Sequence, residues 1–261
     1  WVAYGRRPVL KGVDFEVPHG QITVIMGPSG CGKSTLLKCI IGALAPYRGS
    51  IEVDGTDLTA LNPAGLDRLR REFGVLFQSA ALFTSMTVGE NVALPLRQHT
   101  DLAPSTIDIM VDMKLDLVGL LHAKDLYPSQ LSGGMKKRAG LARAVALDPR
   151  IVIYDEPSAG LDPIVTGVID KLIADLTAKL EITSIVITHE MRSAFRIADQ
   201  MVLLDAGRVV KVGSAAEMRA SDNPVVHQFV EGDTDGPMTT TKAAESKPLD
   251  QRLREQLDEL R

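Results

Sequence analysis

The stretch Gly27-Pro28-Ser29-Gly30-Cys31-Gly32-Lys33-Ser34 constrains this chain more than any other. It fits the pattern G-x-x-x-x-G-K-[S/T] and lies between an apolar run, Gln21 to Met26, and a helical pattern, Lys33 to Leu44. Its glycines carry no Cβ, so successive backbone N–H groups are able to turn toward one anion. The N-terminus of the following helix adds positive potential. Lys33 is long enough to reach the β and γ phosphates of a nucleotide, and Ser34 offers a hydroxyl to Mg²⁺. A loop of this kind is delivered by a strand and opens into a helix, which places the chain in the α/β class.

Length and charge narrow the choice. With 261 residues, 45% of them hydrophobic and 24% charged, the chain is long enough for one large domain or two closely packed lobes. A net charge of -4 and a pI near 5.8 exclude a general nucleic-acid binder, which needs clustered Lys and Arg, and no nucleic-acid partner is expected. No stretch approaches the roughly 18 apolar residues of a membrane-spanning helix. No basic-then-apolar leader opens the sequence, and the first residue is Trp1 rather than Met, so its natural start is open. Cys31 and Cys39 do not make a disulfide framework, and the histidines lack zinc-ligand spacing; a reducing cytoplasm is the expected compartment.

Val9 to Val17 is rich in apolar and β-branched residues, and Gln21 to Met26 reads as a buried strand. Ile51 to Val53 and Gly74 to Phe77 read as further strands. After Gln78 the patterns turn helical as far as Leu147, notably over Ser105 to Leu117 and Gly133 to Leu147, which predicts a helical lobe at about 79–147 inserted into the α/β core. Strands return at Ile151 to Tyr154, Thr183 to Thr188 and Met201 to Leu204, alternating with helices from Ile164 and Glu190. That alternation predicts a mostly parallel sheet covered by helices. Ala206-Gly207 marks a hairpin turn before Val209-Val210, an antiparallel portion of the sheet. From Gly232 to Lys247 the composition is that of a linker, and Leu249, Leu253, Leu257 and Leu260 then stand at helical spacing. The expected domains are 1–231 for the core unit and 232–261 for a linker with a helical extension. That last helix is either a solvated tail or a docking element.

Two further constellations bear on chemistry. The strand Ile151 to Tyr154 runs into Asp155-Glu156. In a parallel sheet that strand end faces the ligand crevice, where Asp155 is placed to hold Mg²⁺ and Glu156 to polarise an attacking water. His189 follows another strand in the same way and is placed to sense the γ phosphate or orient the water. Ser132-Gly133-Gly134-Met135 precedes a basic helix carrying Lys136, Lys137, Arg138 and Arg143. Ser132 reads either as an ordinary helix cap or as part of a second anion site at a helix N-terminus.

Taken in order, these motifs resemble the nucleotide-binding domain of ABC ATPases, a P-loop NTPase fold, over nearly the whole chain to about Gly213. The resemblance implies ATP and Mg²⁺ as cofactors and phosphate contacts from Gly27, Ser29, Gly30, Gly32, Lys33, Ser34 and Thr35. Tyr4 stands where the family stacks an aromatic on adenine. Gln78 stands where the family joins its two lobes and touches Mg²⁺ or the lytic water. Ser132, Gly133 and Gly134 match the signature that contacts ATP held by a second subunit, and Ser158 to Asp162 matches the D-loop. Metal contacts fall to Ser34, Gln78 and Asp155; hydrolysis falls to Glu156, His189, Lys33 and Gln78. Met135 departs from the Gln that the family usually carries.

In that family one chain cannot join its own loop and signature around one nucleotide, so a head-to-tail homodimer with two ATPs is implied. Integral permease subunits are implied as partners. The stretches Phe77 to Thr84, Pro95 to Thr100 and Asp233 to Pro237, with Met135, further resemble the Mla/Mce-linked branch that moves phospholipids between bacterial membranes. This implies an Mce-domain protein and a small accessory subunit, with the chain peripheral on the cytoplasmic face of the inner membrane. An importer ATPase for a small polar solute and a soluble ABC ATPase are the alternatives. A chromosome-organising ATPase is excluded by the absence of sustained heptads between loop and signature, and a GTPase by the absence of an Asn-Lys-x-Asp motif.

Overall fold

The computed structural model describes residues 1–239. The predicted leucine stripe from Leu249 to Leu260 lies outside the described residues. In chain order the strands are β1 (Val2–Tyr4), β2 (Arg7–Leu10), β3 (Ile22–Met26), β4 (Glu52–Val53), β5 (Thr56–Asp57), β6 (Phe73–Leu76), β7 (Ile151–Asp155), β8 (Thr183–Ile187), β9 (Gln200–Asp205) and β10 (Arg208–Gly213). The helices are α1 (Lys33–Ile40), α2 (Pro63–Arg70), α3 (Val88–His99), α4 (Pro104–Leu117), α5 (Gly133–Ala144), α6 (Pro163–Leu180), α7 (Met191–Ile197), α8 (Ala215–Arg219) and α9 (Pro224–Glu231).

The main sheet has the order β10-β9-β3-β8-β7-β6. All neighbours are parallel except β10, which returns antiparallel from β9 through Ala206-Gly207. The mostly parallel sheet and its antiparallel portion therefore stand as the sequence predicts. In β3 and β8 every residue is buried, the pattern of strands covered on both faces. Alternation splits them between two cores. Val24, Met26, Val152, Tyr154 and Val186 join one cluster that includes α6 and the helices after β6. Ile25, Ile153, Ile185 and Ile187 join another with Leu36 and Leu37 of α1 and with Val2 and Leu10 of the β1–β2 hairpin. Between β6 and β7 the described elements are helical: α3 packs on α4 and α5, and α5 also touches β6 and α6.

Helix α5, predicted to run to Leu147, stops at Ala144, and two other boundaries differ further from the sequence reading. The helix predicted to reach Leu44 stops at Ile40, because Gly42 takes φ 67° while its N–H bonds to Cys39 O and that of Ala43 bonds to Lys38 O. This pair of reversed bonds is a Schellman cap, which satisfies the last carbonyls of α1. The apolar run Val9 to Val17 is a strand only to Leu10, after which Lys11 donates its N–H to Gly207 O instead of to a neighbouring strand. Beyond α9, Gln228 holds the chain as far as Thr239: its Nε2 donates to Asp233 O at 3.2 Å, its Oε1 accepts from Met238 N at 2.8 Å, and Met238 is buried.

Candidate nucleotide site

The phosphate loop leaves the end of β3 at Gly27, whose φ is 151°. A Cβ there would lie 2.1 Å from Leu204 O, so only glycine lets the loop lie this close to the end of β9. Gly32, at φ 116°, opens α1 with Leu10 against it, where a Cβ would lie 2.7 Å from Cδ2. Lys33 Nζ folds back to donate to Gly27 O at 2.6 Å and Pro28 O at 3.1 Å, which sets a cation across the loop. Ser29 and Ser34 are exposed and Thr35 is buried. Gly207 anchors the loop from the side, donating its N–H to Cys31 O at 3.0 Å. Burial pushes the Cys31 thiol up, partly offset by the nearby Lys33 ammonium.

The carboxylates stand on the end of β7. Burial first, and the charge of Glu156 second, raise the Asp155 carboxyl above the usual range, against the attraction of Lys137 and Lys33. Glu156 turns into the left-handed region at φ 48°, its N–H bonded to Ile187 O at 2.8 Å. Its Oε1 lies 2.8 Å from His189 Nδ1, and its Oε2 accepts from Thr188 Oγ1 at 3.3 Å. An ionised carboxylate only accepts, so Nδ1 carries the proton of that contact and Nε2 is left as the second functional nitrogen of His189. The imidazole is 65% exposed and the carboxylate 13%, so His189 covers Glu156 from the solvent side.

Sequence reasoning missed Lys137. It is buried, and its Nζ donates to Gln78 O at 2.6 Å and Glu156 O at 2.9 Å, joining the two residues through their main chains. Burial lowers the Lys137 pKa, while the carboxylates of Glu156 and Asp155 oppose that shift. A signal existed: Lys137 stands three and four positions before Gly140 and Leu141, both buried, so helical spacing puts it on the inner face. The Gln78 side chain itself is exposed.

Ser132 caps α5, its Oγ accepting from Met135 N at 3.3 Å, so the helix-cap reading of that serine describes its bond. Gly133 and Gly134 lie against the start of α6: Cβ atoms there would stand 3.3 Å from Leu161 Cδ2 and 2.7 Å from Val165 Cγ1. Asp162 caps α6, with Oδ1 accepting from Ile164 N and Val165 N at 3.0 Å. Met135 packs against the main core, a contact suited to a flexible thioether rather than a polar amide. Tyr4 is on β1, about half exposed at 48%. The fold therefore groups Lys137, Gln78, Glu156, Thr188 and His189, while the contacts of Ser132, Gly133, Gly134 and Asp162 belong to the starts of α5 and α6.

A model of the ABC transporter family matches residues 10–159. The chain belongs to the ABC transporter family. It is 46% identical over 234 residues to the intermembrane phospholipid transport system ATP-binding protein MlaF of Escherichia coli K12, covering 90% of this chain and 87% of that one. It is 44% identical over 236 residues to the probable ribonucleotide transport ATP-binding protein mkl of Mycobacterium tuberculosis H37Rv, covering 90% of this chain and 66% of that one. Among solved structures, the ATP-binding cassette MJ0796 in a dimeric post-hydrolysis state with ADP and Pi superposes with a TM-score of 0.73 at 30% identity. That match covers 79% of this chain and 90% of the other.

As an ABC ATPase the chain binds and hydrolyses ATP. The loop fits a triphosphate: Gly30, at φ 81°, has open space where a Cβ would be, and the Lys33 ammonium stands across the same mouth. The set proposed for Mg²⁺ is a hydroxyl, a carboxylate and an amide, all with oxygen donors, which suits a hard cation.

Proposed function

We propose that this chain is the ATPase of a permease-bound ABC transporter that moves phospholipids between bacterial membranes. The likeness to E. coli MlaF, at 46% identity over 87% of that protein, carries this reading. The mycobacterial relative is named for ribonucleotide transport at 44% identity, and this favours a second reading in which the cargo is a polar solute.

In the proposed mechanism residues 1–231 form the ATPase unit and residues 232–261 a C-terminal extension. Two copies meet head to tail, with Ser132, Gly133, Gly134 and Asp162 of one facing ATP on the phosphate loop of its partner. Tyr4 stacks on adenine through its exposed ring. Lys33 exchanges its two carbonyl acceptors for phosphate oxygens, so its charge is already in place when ATP arrives. Mg²⁺, held by Ser34, Asp155 and Gln78, would neutralise β and γ phosphate oxygens. Glu156 accepts the proton of the water that attacks the γ phosphorus, and the bond to the ADP oxygen breaks as Pi forms. The hydrogen bonds from His189 and Thr188 hold the Glu156 carboxylate in one orientation for that transfer. The dimer works peripherally on the cytoplasmic face of the inner membrane, with permease subunits, an Mce-domain protein and a small accessory subunit as partners. In support, no helix among the described residues is long and apolar enough to cross a membrane.

The test is purification of the tagged chain from gently solubilised membranes of its native cells, with mass spectrometry of what accompanies it. A polytopic permease with an Mce-domain protein and bound phospholipid is the expected result. A permease paired with a periplasmic solute-binding protein would replace the lipid reading with the second one.

A further inference from the structure

Helix α5 directs two cations at the segment that follows β6. Lys137 Nζ donates to Gln78 O at 2.6 Å and Glu156 O at 2.9 Å. Two turns on, Arg143 donates through Nη1 to Ala81 O and through Nη2 to Ala80 O, both at 2.8 Å. Ala80 and Ala81 stand at φ 59° and 47°, a conformation that L-residues disfavour and that persists only when surroundings impose it. Gly140, between the two cations, brings the helix backbone onto the same segment: a Cβ there would lie 2.8 Å from Leu76 Cδ1 and 3.1 Å from Ala80 Cβ. Glu156 is held in the left-handed region as well, and its carbonyl is one of the two acceptors of Lys137.

A buried ammonium that only filled space would be a poor choice for this position, since its desolvation is costly and an apolar side chain of the same length avoids it. What the ammonium adds is geometry: one atom joined to the main chain of the proposed catalytic carboxylate, to the main chain of Gln78, and through its own backbone to α5. We propose that Lys137 is a positioning residue for ATP hydrolysis, tying the Glu156 turn and the Gln78 segment to α5 so that the three move as one unit, with Arg143 holding the far end of the segment. The inference deepens the proposed function and rests on its assignment of Glu156 and Gln78. It makes the orientation of α5, the helix capped by Ser132, a determinant of kcat.

The experiment uses the full chain with ATP and Mg²⁺ and compares Lys137→Met, which keeps the stem without a donor, with Lys137→Gln, which keeps a neutral donor. Steady-state kcat and KM, the ATP dissociation constant and the melting midpoint are read for each. Displacement of reacting groups by about 1 Å costs on the order of 100-fold, so Lys137→Met is expected to lose about 10- to 100-fold in kcat with KM and ATP affinity within about threefold. Lys137→Gln is expected to lose less and to remain measurable if the Met variant folds poorly. In the Glu156→Gln background, Lys137→Met is expected to add no further loss, because it acts through that residue. A purely structural lysine would lower the melting midpoint and leave kcat per ATP-binding molecule unchanged; that result in either variant overturns the inference. Full turnover by Glu156→Gln alone would instead remove the assignment of Glu156, so the two failures are distinct.

Discussion

Gly207→Ala should be far more damaging than its place in a two-residue hairpin turn suggests, because Gly207 is buried against a strand from the other end of the chain. Gly207 has φ 78°, where an alanine costs about 1–2 kcal/mol, less the roughly 0.4–1 kcal/mol that losing a glycine recovers from the unfolded chain. Gly5, at φ 59° with open space around its missing Cβ, bears only this conformational cost, so Gly5→Ala should destabilise by about 1 kcal/mol or less. At Gly207 the added Cβ would stand 1.9 Å from Val9 O and 3.0 Å from Val9 C, backbone atoms of β2 that have no rotamer to escape into. Relief requires the hairpin to move away, which breaks Lys11 N to Gly207 O at 2.7 Å and Gly207 N to Cys31 O at 3.0 Å. Each of the two lost backbone bonds is worth about 0.5–1.5 kcal/mol, so Gly207→Ala should cost about 1–3 kcal/mol more than Gly5→Ala. At roughly 2–4 °C per kcal/mol for a chain of this size, the melting midpoints should differ by about 2–12 °C. Because one broken bond ends on Cys31 of the phosphate loop, ATP affinity should also fall in Gly207→Ala and hold in Gly5→Ala. Equal midpoints for the two variants in a thermal melt would refute the reasoning.

Three further outcomes follow from the same contacts. Glu156→Gln should bind ATP and accumulate as an ATP-dependent dimer by size-exclusion chromatography, with phosphate release slowed about 10²- to 10⁴-fold; wild-type turnover would remove Glu156 from the chemistry. The Cys31 thiol, raised by burial, holds less thiolate at pH 7–8 than a free cysteine. Its labelling by iodoacetamide should therefore be slow at pH 8, keep rising above the ordinary thiol range and be blocked by ATP, whereas labelling as fast as that of a free thiol would contradict its burial. Gln228→Leu removes the partners of Asp233 O and Met238 N and should cost about 1–3 kcal/mol. Proteolysis between Gly232 and Thr239 should then quicken, and an unchanged cleavage rate would show that those bonds do not hold the segment.

What could be read from residues alone was what local chemistry encodes. The phosphate loop is legible because its glycines, its lysine and the strand and helix around it are contiguous, and the structure places Gly27 and Gly32 at the positive φ their spacing requires. The parallel sheet was legible for a similar reason: mostly apolar runs such as Ile22 to Met26, broken only by Thr23, fit strands covered on both faces. Helix ends were less so. Gly42 stops α1 by a reversed hydrogen-bond pattern that apolar periodicity through Leu44 hides. Only the tertiary structure decides which partners a buried polar group finds. Lys137 lies 59 residues from Gln78 and 19 from Glu156, and although helical spacing marks it as the inward cation of its basic run, nothing in the sequence tells which carbonyls it reaches. Glu156 and His189, 33 residues apart, meet because β7 and β8 are parallel neighbours that end at the same edge of the sheet. Sequence specifies the groups that carry charge and the turns that free a backbone. The desolvation of an ammonium, which must find acceptors once packing removes its water, specifies which main-chain carbonyls it holds.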